Sequence, residues 1–302
     1  MGKIRTYQSI SELNDEFGVK TLHPLINVVD MSTAPKVDVR GAHCYDFYSV
    51  FLKDSDCGAI QYGRNTYDYQ KGTLLFIAPL QVMEMESERN ADGEAPKGWV
   101  LMFHRDLLRG THLGQIMKNF TYFSYDVNEA LHLSEDERAI ITGCLRNILA
   151  ELQHAIDKNS KDLILSNLEV FFNYSKRFYE RQFITRSQVN SDVLTRFEQI
   201  LDDYFNQGVA KKNGIPNVKY MADKLHYSPN YLSDQLRETT GKSALEHIQL
   251  KLIEISKERL LSDTSSINEI AYQLGFEYPQ YFSRLFKKKV GVTPNQYRLN
   301  RS

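Results

Sequence analysis

Cysteine is scarce in this chain. Cys44, Cys57 and Cys144 are the three among 302 residues, and they form neither a C-x-x-C pair nor a zinc-ligand spacing. A disulfide framework and a structural zinc site are therefore not expected, and a reduced, cytoplasmic setting is. No apolar run approaches the ~20 residues that a spanning helix requires, and no signal-peptide pattern is visible. Met1-Gly2 with Thr6 fits the N-myristoylation pattern, as do many unmodified starts. The G-x-S-x-G elbow, the P-loop and the G-x-G-x-x-G fingerprint are also missing, which removes the usual sequence grounds for hydrolase or nucleotide chemistry. His23, His43, His104, His112, His132 and His154 are isolated, with no H-x-H pair. A lone histidine is more often structural than a ligand, so no metal, no cofactor and no catalytic residue are expected.

What is present is a charge division. Residues 211–302 carry 15 Lys+Arg against 9 Asp+Glu, a net of +6. Residues 1–210 carry 22 against 29, a net of −7. A basic end is the footprint of a nucleic-acid binder, because Lys and Arg displace phosphate counterions. A merely basic surface would look the same, so charge alone favours DNA only slightly.

The order of periodicities predicts an α+β chain. A short helix is expected near Ser9–Phe17. Phe47–Leu52, Ala59–Tyr62, Thr73–Ile77 and Trp99–Phe103 are β-rich runs punctuated by Gly and Asp, suited to an antiparallel barrel or sandwich, with a polar loop at Asn90–Gly98. Ser134-Glu135-Asp136-Glu137 is a capping box. Ile140, Ile141, Cys144, Leu145, Ile148 and Leu152 then mark one helical face. Ser160 is expected to cap the next helix, with Ile164, Leu168, Phe171, Phe172, Ser175 and Phe178 on its apolar face. The two would make a helical hairpin over about residues 134–184. One face would cover the sheet and another would meet a partner subunit, although packing within the subunit explains the pattern equally well. Residues 185–191 read as a linker. Val193, Leu194, Phe197, Ile200, Leu201, Tyr204 and Phe205 then form an amphipathic helix that ends near Gly208.

The most informative feature is a unit of roughly fifty residues that occurs twice. Ser228-Pro229-Asn230-Tyr231-Leu232-Ser233, then Leu236, Arg237 and Gly241, matches Tyr278-Pro279-Gln280-Tyr281-Phe282-Ser283, then Phe286, Lys287 and Gly291, at an offset of 50. Ala222 and Leu225 precede the first copy and Ala271 and Leu274 the second, at an offset of 49, so the turns differ by one residue. Proline suits the first helical position, Ser228 an N-cap, and Gly241 and Gly291 left-handed C-terminal caps. Gly275 sits in the second turn, where His226 stands in the first. Leu232 and Leu236, like Phe282 and Phe286, share a buried face. Asn230, Ser233, Asp234 and Arg237 share the opposite face, as do Gln280, Ser283, Arg284 and Lys287.

Polar groups at such positions can bond base edges or phosphates. Asn230, Ser233, Asp234, Gln280, Tyr281, Ser283 and Arg284, near the helix starts, are the base-edge candidates. Arg237, Lys242, Lys287 and Lys288 are the phosphate candidates. A solvated polar face would explain one such helix, but it explains two matched copies in a basic segment poorly. Between them, Ser243–Leu261 would be a rod of ~28 Å at ~1.5 Å per residue, against ~34 Å between successive major grooves.

The run Ile267–Phe276, then Tyr281–Lys288, Gly291–Pro294 and Tyr297-Arg298, closely resembles the signature of the AraC/XylS family of bacterial transcription regulators. The match covers about Asp192–Arg301. It implies an all-α DNA-binding domain with two helix–turn–helix units over residues 192–302, double-stranded DNA as partner, and contact with RNA polymerase. Activation is the more common sense of regulation it implies. The β-rich segment and hairpin, residues 1–184, are similar in element order to that family's cupin-like β-barrel effector domain. That likeness implies a small-molecule effector and a homodimer formed through the hairpin. His43, Tyr45, Tyr62, Arg64 and Trp99 are the candidate ligand residues, with ordinary core as the rival reading of each. A metal-dependent enzyme or sensor, and an N-terminal domain that binds a protein, are the alternatives.

Overall fold

A computed structural model describes residues 4–33, 41–54, 59–62, 65–68, 72–85, 97–155, 157–185, 187–262 and 265–299. The chain divides into two compact units, 1–182 and 183–302. The first is β-rich and the second wholly helical among the described residues. No described helix is long and apolar enough to cross a membrane.

The first unit contains β1 (Arg5–Tyr7), α1 (Ile10–Phe17), β2 (Ile26–Asp30), β3 (Gly41–Tyr45), β4 (Tyr48–Lys53), β5 (Ala59–Tyr62), β6 (Asn65–Asp68), β7 (Thr73–Ile77), β8 (Val82–Met85), β9 (Gly98–Phe103), α2 (His112–Ile116), β10 (Leu131–His132), α3 (Glu135–Gln153) and most of α4 (Ser160–Thr185). The expected single barrel is not closed. The described strands form two five-stranded sheets, ordered β1-β3-β8-β5-β6 and β10-β7-β4-β9-β2. Pairing is antiparallel except for β1, which lies parallel to β3. The four apolar runs read from the sequence correspond to β4, β5, β7 and β9. Some of the strands not anticipated are short or polar, as in Arg5-Thr6-Tyr7 and Asn65–Asp68, where no alternation can register, but β2, Ile-Asn-Val-Val-Asp, is neither and was passed over. Of the expected loop, residues 90–96 lie outside the described residues, and Gly98 opens β9.

The sheet containing β7 and β9 is buried on both faces, which is why its strands read as unbroken apolar runs. Leu75, Ile77, Val100 and Met102 point into a core with Tyr7, Tyr45, Phe47 and Met83. Phe76 and Phe103 alternate to the other face, where their rings meet Tyr122, Phe123, Phe171 and Phe172. The hairpin therefore covers a sheet, as one of its two expected uses requires. Gln182 pins α4 to the sheet edge: its Nε2 donates to the Ala130 carbonyl at 3.2 Å and its Oε1 accepts from the His132 amide at 2.8 Å. Arg181 forks onto Glu137 and the His132 carbonyl.

Local signals set the helix starts with one correction. The Ser134–Glu137 box forms with both of its bonds. Ser160 is instead the first helical residue, and the Asp157 carboxylate accepts its amide and that of Asn159. A carboxylate is the better acceptor at the positive end of a helix. Ile140 rides at the edge of its face and is exposed, while Ile141, Cys144, Leu145, Ile148 and Leu152 are buried.

The second unit holds α5 (Ser187–Asn206), α6 (Val209–Asn213), α7 (Val218–Leu225), α8 (Pro229–Thr240), α9 (Ala244–Ser262), α10 (Ile267–Gln273), α11 (Pro279–Val290) and α12 (Pro294–Leu299). The expected linker is another correction: α4 runs through Thr185, and residues 187–191 are already helical. Polar as that stretch is, it contains no Pro or Gly to break a helix. One apolar core joins Phe197, Leu201 and Phe205 of α5 to Leu232 and Leu236 of α8, Leu252 and Leu260 of α9, and Phe282 and Phe286 of α11. Lys251 on α9 reaches Asp202 on α5 at 2.6 Å, and that bond holds its ammonium pKa above the usual value. Arg298 on α12 donates to the carbonyls of Leu260 and Ser265, tying the last helix to the end of α9.

Gly275 has a φ of +91°, and an added Cβ would lie 2.7 Å from the Ala210 carbonyl oxygen and 2.7 Å from the Gly214 carbonyl carbon. Gly291 has a φ of +89° and open space around it. Gly291→Ala should cost about 1–2 kcal/mol for its left-handed backbone alone. Gly275→Ala should cost clearly more, because backbone must also move. Urea unfolding of both variants checks this, and equal losses would reject the clash.

Candidate nucleic-acid interface

Each copy of the duplicated unit folds as two helices joined by a short turn, α7 with α8 and α10 with α11. In the first, Asn217 caps α7, accepting from the Tyr220 amide at 2.8 Å. His226 is left-handed at φ 61°, and the Tyr227 amide bonds back to the Ala222 carbonyl at 3.0 Å. Ser228 then caps α8, with Pro229 at its start and Gly241, φ 74°, at its end. In the second, Ser266 and Glu269 box α10, Gly275 is left-handed, and the Phe276 amide bonds the Ala271 carbonyl at 3.0 Å. The two turns match at an offset of 49 through Tyr227 and Phe276. The offset becomes 50 at Ser228 and Tyr278, so Glu277 is the additional residue. His226 thus adopts the same backbone as Gly275. Histidine is among the residues enriched in that region, and His226 is exposed.

The buried faces are as expected: Leu232, Leu236, Phe282 and Phe286 are all within 1% of full burial. Asn230, Arg237 and Lys242 are exposed on or beside α8, and Ser233 and Asp234 are half-buried. On α11, Gln280, Tyr281, Arg284, Lys287 and Lys288 are exposed and Ser283 is half-buried. The structure therefore gathers each predicted set on one face of its own helix. Two pairings were not legible in the sequence. Asp234 Oδ1 accepts from Arg237 Nη1 at 2.8 Å, so the acid and the base form an ion pair. The Arg284 guanidinium lies 5.7 Å from the Tyr281 ring centre, and that ring meets Tyr278 edge-on at 5.8 Å.

Sequence reasoning passed over Lys289, exposed in the last turn of α11, and the exposed rings of Tyr272 and Tyr278. The Lys287-Lys288-Lys289 run was the available signal for the first. The repeat also misleads at one pair. Tyr231 and Tyr281 occupy equivalent positions, yet Tyr281 is 53% exposed while Tyr231 is 4% exposed and stacked on Tyr227.

The three candidate ligand residues whose side chains are described, His43, Tyr45 and Trp99, are not gathered at one site. His43 and Tyr45 are buried, with rings 5.8 and 5.6 Å from Tyr7. Trp99 lies beneath the Arg146 guanidinium at 5.9 Å. Strand alternation puts Trp99 on the face of β9 opposite Val100 and Met102, which share the core with Tyr45. Tyr62 ends β5 and Arg64 lies outside the described residues. Cavities of about 330 and 140 Å³ occur elsewhere in the unit and are lined by none of these five. Among the described residues, no cluster of His, Cys, Asp and Glu is placed to hold a metal ion.

Residues 221–300, a stretch that starts within α7 and includes α8, α10 and α11, match the family model described as a helix-turn-helix domain. The uncharacterized HTH-type transcriptional regulator YfiF of Bacillus subtilis is 31% identical over 153 residues, 51% of this chain and 43% of that protein. The HTH-type transcriptional activator RhaS of Citrobacter koseri is 22% identical over 269 residues, covering 86% of this chain and 87% of that one. Among solved structures, the C-terminal domain of AraT, a response regulator from Geobacillus stearothermophilus, is 34% identical, covers 36% of this chain and 85% of that chain, and superposes with a TM-score of 0.32. The chain spans less than half the length of three Bacillus subtilis relatives, at 43%, 17% and 26%.

His247 on α9 meets Thr240 Oγ1, at the end of α8, through Nε2 at 2.8 Å. Burial holds its pKa below 6.5, with Lys242 pushing the same way and Glu198 and Glu246 opposing. A folded pKa below the unfolded one disfavours the charged ring in the fold. Stability is then complete above the unfolded value of about 6.5 and is lost as pH falls through the folded value. The thermal midpoint should drop more steeply between about pH 7 and pH 5 in the parent than in His247→Asn; parallel curves would contradict it.

Proposed function

We propose that this chain, which belongs to the AraC/XylS family, is a sequence-specific DNA-binding transcription regulator whose two helix–turn–helix units read adjacent major grooves. The observation that carries the reading is the pair of exposed polar faces, on α8 and α11, presented by a unit with a net charge of +6 over residues 211–302. α9, of 19 residues, joins the two pairs, and at ~1.5 Å per residue it spans ~28 Å. That length suits two heads about one helical turn of DNA apart.

Asn230, Ser233, Gln280, Tyr281, Ser283 and Arg284 are assigned to base edges, since the first turns of a recognition helix enter the groove deepest. Lys242, Lys287 and Lys288 are assigned to phosphates, with Lys289 added on its exposure. The row at the end of α11 also complements the negative end of the helix dipole. The faces are unlike: an ion pair sits at Asp234–Arg237 where the second head has Arg284 and Lys287. One monomer therefore reads an asymmetric site, and the second head supplies more of the electrostatic grip.

Residues 1–184 form an effector and dimerisation domain in this reading, and residues 192–302 the DNA-binding domain. The outer face of the hairpin supports a homodimer, because Ile140, Leu163 and Val170 are exposed beside an Asn147–Asn167 hydrogen bond of 3.2 Å. A small-molecule effector, activation through RNA polymerase and a cytoplasmic setting rest on family likeness. RhaS supports activation because its name is that of a transcriptional activator.

Arg284→Ala should weaken binding to the selected site by ~1–3 kcal/mol and relax selectivity at one base pair. Binding assays at fixed salt on a site selected from random duplexes check it, and unchanged affinity with unchanged preference would exclude the role. Lys287→Ala should weaken binding to all sequences alike and lower the salt slope by about one unit; a loss confined to one base pair would contradict a phosphate contact.

A further inference from the structure

We propose that Asp234 is a positioning residue for Arg237, and that Arg237, held in this way, reads a guanine within the half-site of the first helix–turn–helix unit. The inference rests on the DNA-binding reading above and reassigns both residues within it. Treated singly, Asp234 would accept from a cytosine amino group and Arg237 would grip a phosphate. The geometry points elsewhere. Asp234 is the recessed member, with its side chain 17% exposed, and Arg237 the projecting one at 55%. They stand one helical turn apart on the same face of α8, joined at 2.8 Å.

A guanidinium has five N–H donors in a plane, and one bond to Asp234 leaves a free edge for guanine O6 and N7. The carboxylate fixes the plane of that fork before DNA arrives, so less side-chain freedom is lost on binding. It also neutralises the charge that a phosphate would attract. A paired arginine is thus a poor electrostatic grip and a good directional reader.

The second head argues by contrast. Fifty residues on, the same two positions are Arg284 and Lys287, with no acid beside the lysine in the sequence and no ion pair to it among the described residues. Lysine is a compact point charge with no fork to orient. The reading arginine of α11 stands one turn nearer the helix start, against the Tyr281 ring. The two heads therefore carry their guanine readers at different depths, one held by an ion pair and the other by an aromatic face.

The test uses the full chain. A site is first selected from a random duplex library. Binding is then measured at constant salt to that site and to each of its single base-pair variants. Arg237→Ala and Asp234→Ala should each lose discrimination at the same G·C pair by about 10-fold. The double variant should lose no more than Arg237→Ala alone. Asp234→Glu should restore most of the preference, and Arg237→Lys should lose it while keeping the parent salt slope. Thermal midpoints confirm folding, and Asp234→Asn, which preserves size, gives the same readout if the alanine variant is unstable. The idea is overturned if Arg237→Ala weakens all duplexes equally with a shallower salt slope, or if removing the Asp234 charge tightens binding to every sequence. Failure of the parent chain to select any sequence would instead overturn the DNA-binding reading itself.

Discussion

In each helix pair a backbone amide turns back onto the carbonyl of an alanine, Tyr227 onto Ala222 and Phe276 onto Ala271, with a left-handed residue immediately before it. This closed turn sets the direction in which the following helix leaves. Both alanines are fully buried, so the partner helices approach where a larger side chain would separate them. Once the turn is closed, Leu232 and Leu236, or Phe282 and Phe286, point into the shared core. The polar residues of the opposite face, Asn230 and Arg237 on α8 and Gln280, Arg284 and Lys287 on α11, are thereby directed to solvent. The exposure of Asn230, Arg237, Gln280, Arg284 and Lys287 follows from that one constraint.

Two chemically different solutions close the same turn. The second pair uses glycine because Ala210, Gly214 and Ile215 crowd the position. The first uses an exposed histidine, accepting a left-handed backbone that costs a non-glycine residue on the order of 1–3 kcal/mol. The bond survives in both, so this requirement lies in the backbone rather than in any side chain. The faces that project from the two turns have diverged further, into an acid–base pair on one helix and a cationic row beside a tyrosine on the other.

In the β-rich unit the governing feature is a sheet covered on both faces. Its strands contribute alternate residues to an interior shared with the other sheet and to an aromatic layer beneath the hairpin. Residues that look alike in sequence are divided between these layers. Trp99 and Tyr45 therefore do not share a face, although both are buried aromatics, one in each sheet. What the aromatic richness of this segment reflects in the structure is packing on two sides of one sheet.

The helical unit was largely legible because its information is local: a cap at Ser228, prolines at the first helical position, glycines at the ends, and an apolar period that a helix must bury on one side. The fifty-residue repeat even showed that the two turns differ by one residue. Short polar strands, the open two-sheet arrangement and the helical conformation of residues 187–191 were not legible, because strand pairing and helix continuation depend on partners distant in sequence or on breakers that are simply absent. Within the candidate interface, sequence alone determined which residues share a face, since helical periodicity permits no other grouping. Only the tertiary structure decided that Tyr231 is buried while its repeat counterpart Tyr281 is exposed, because a side chain's burial is fixed by what packs over it, and equivalent positions in a duplicated unit need not have equivalent neighbours.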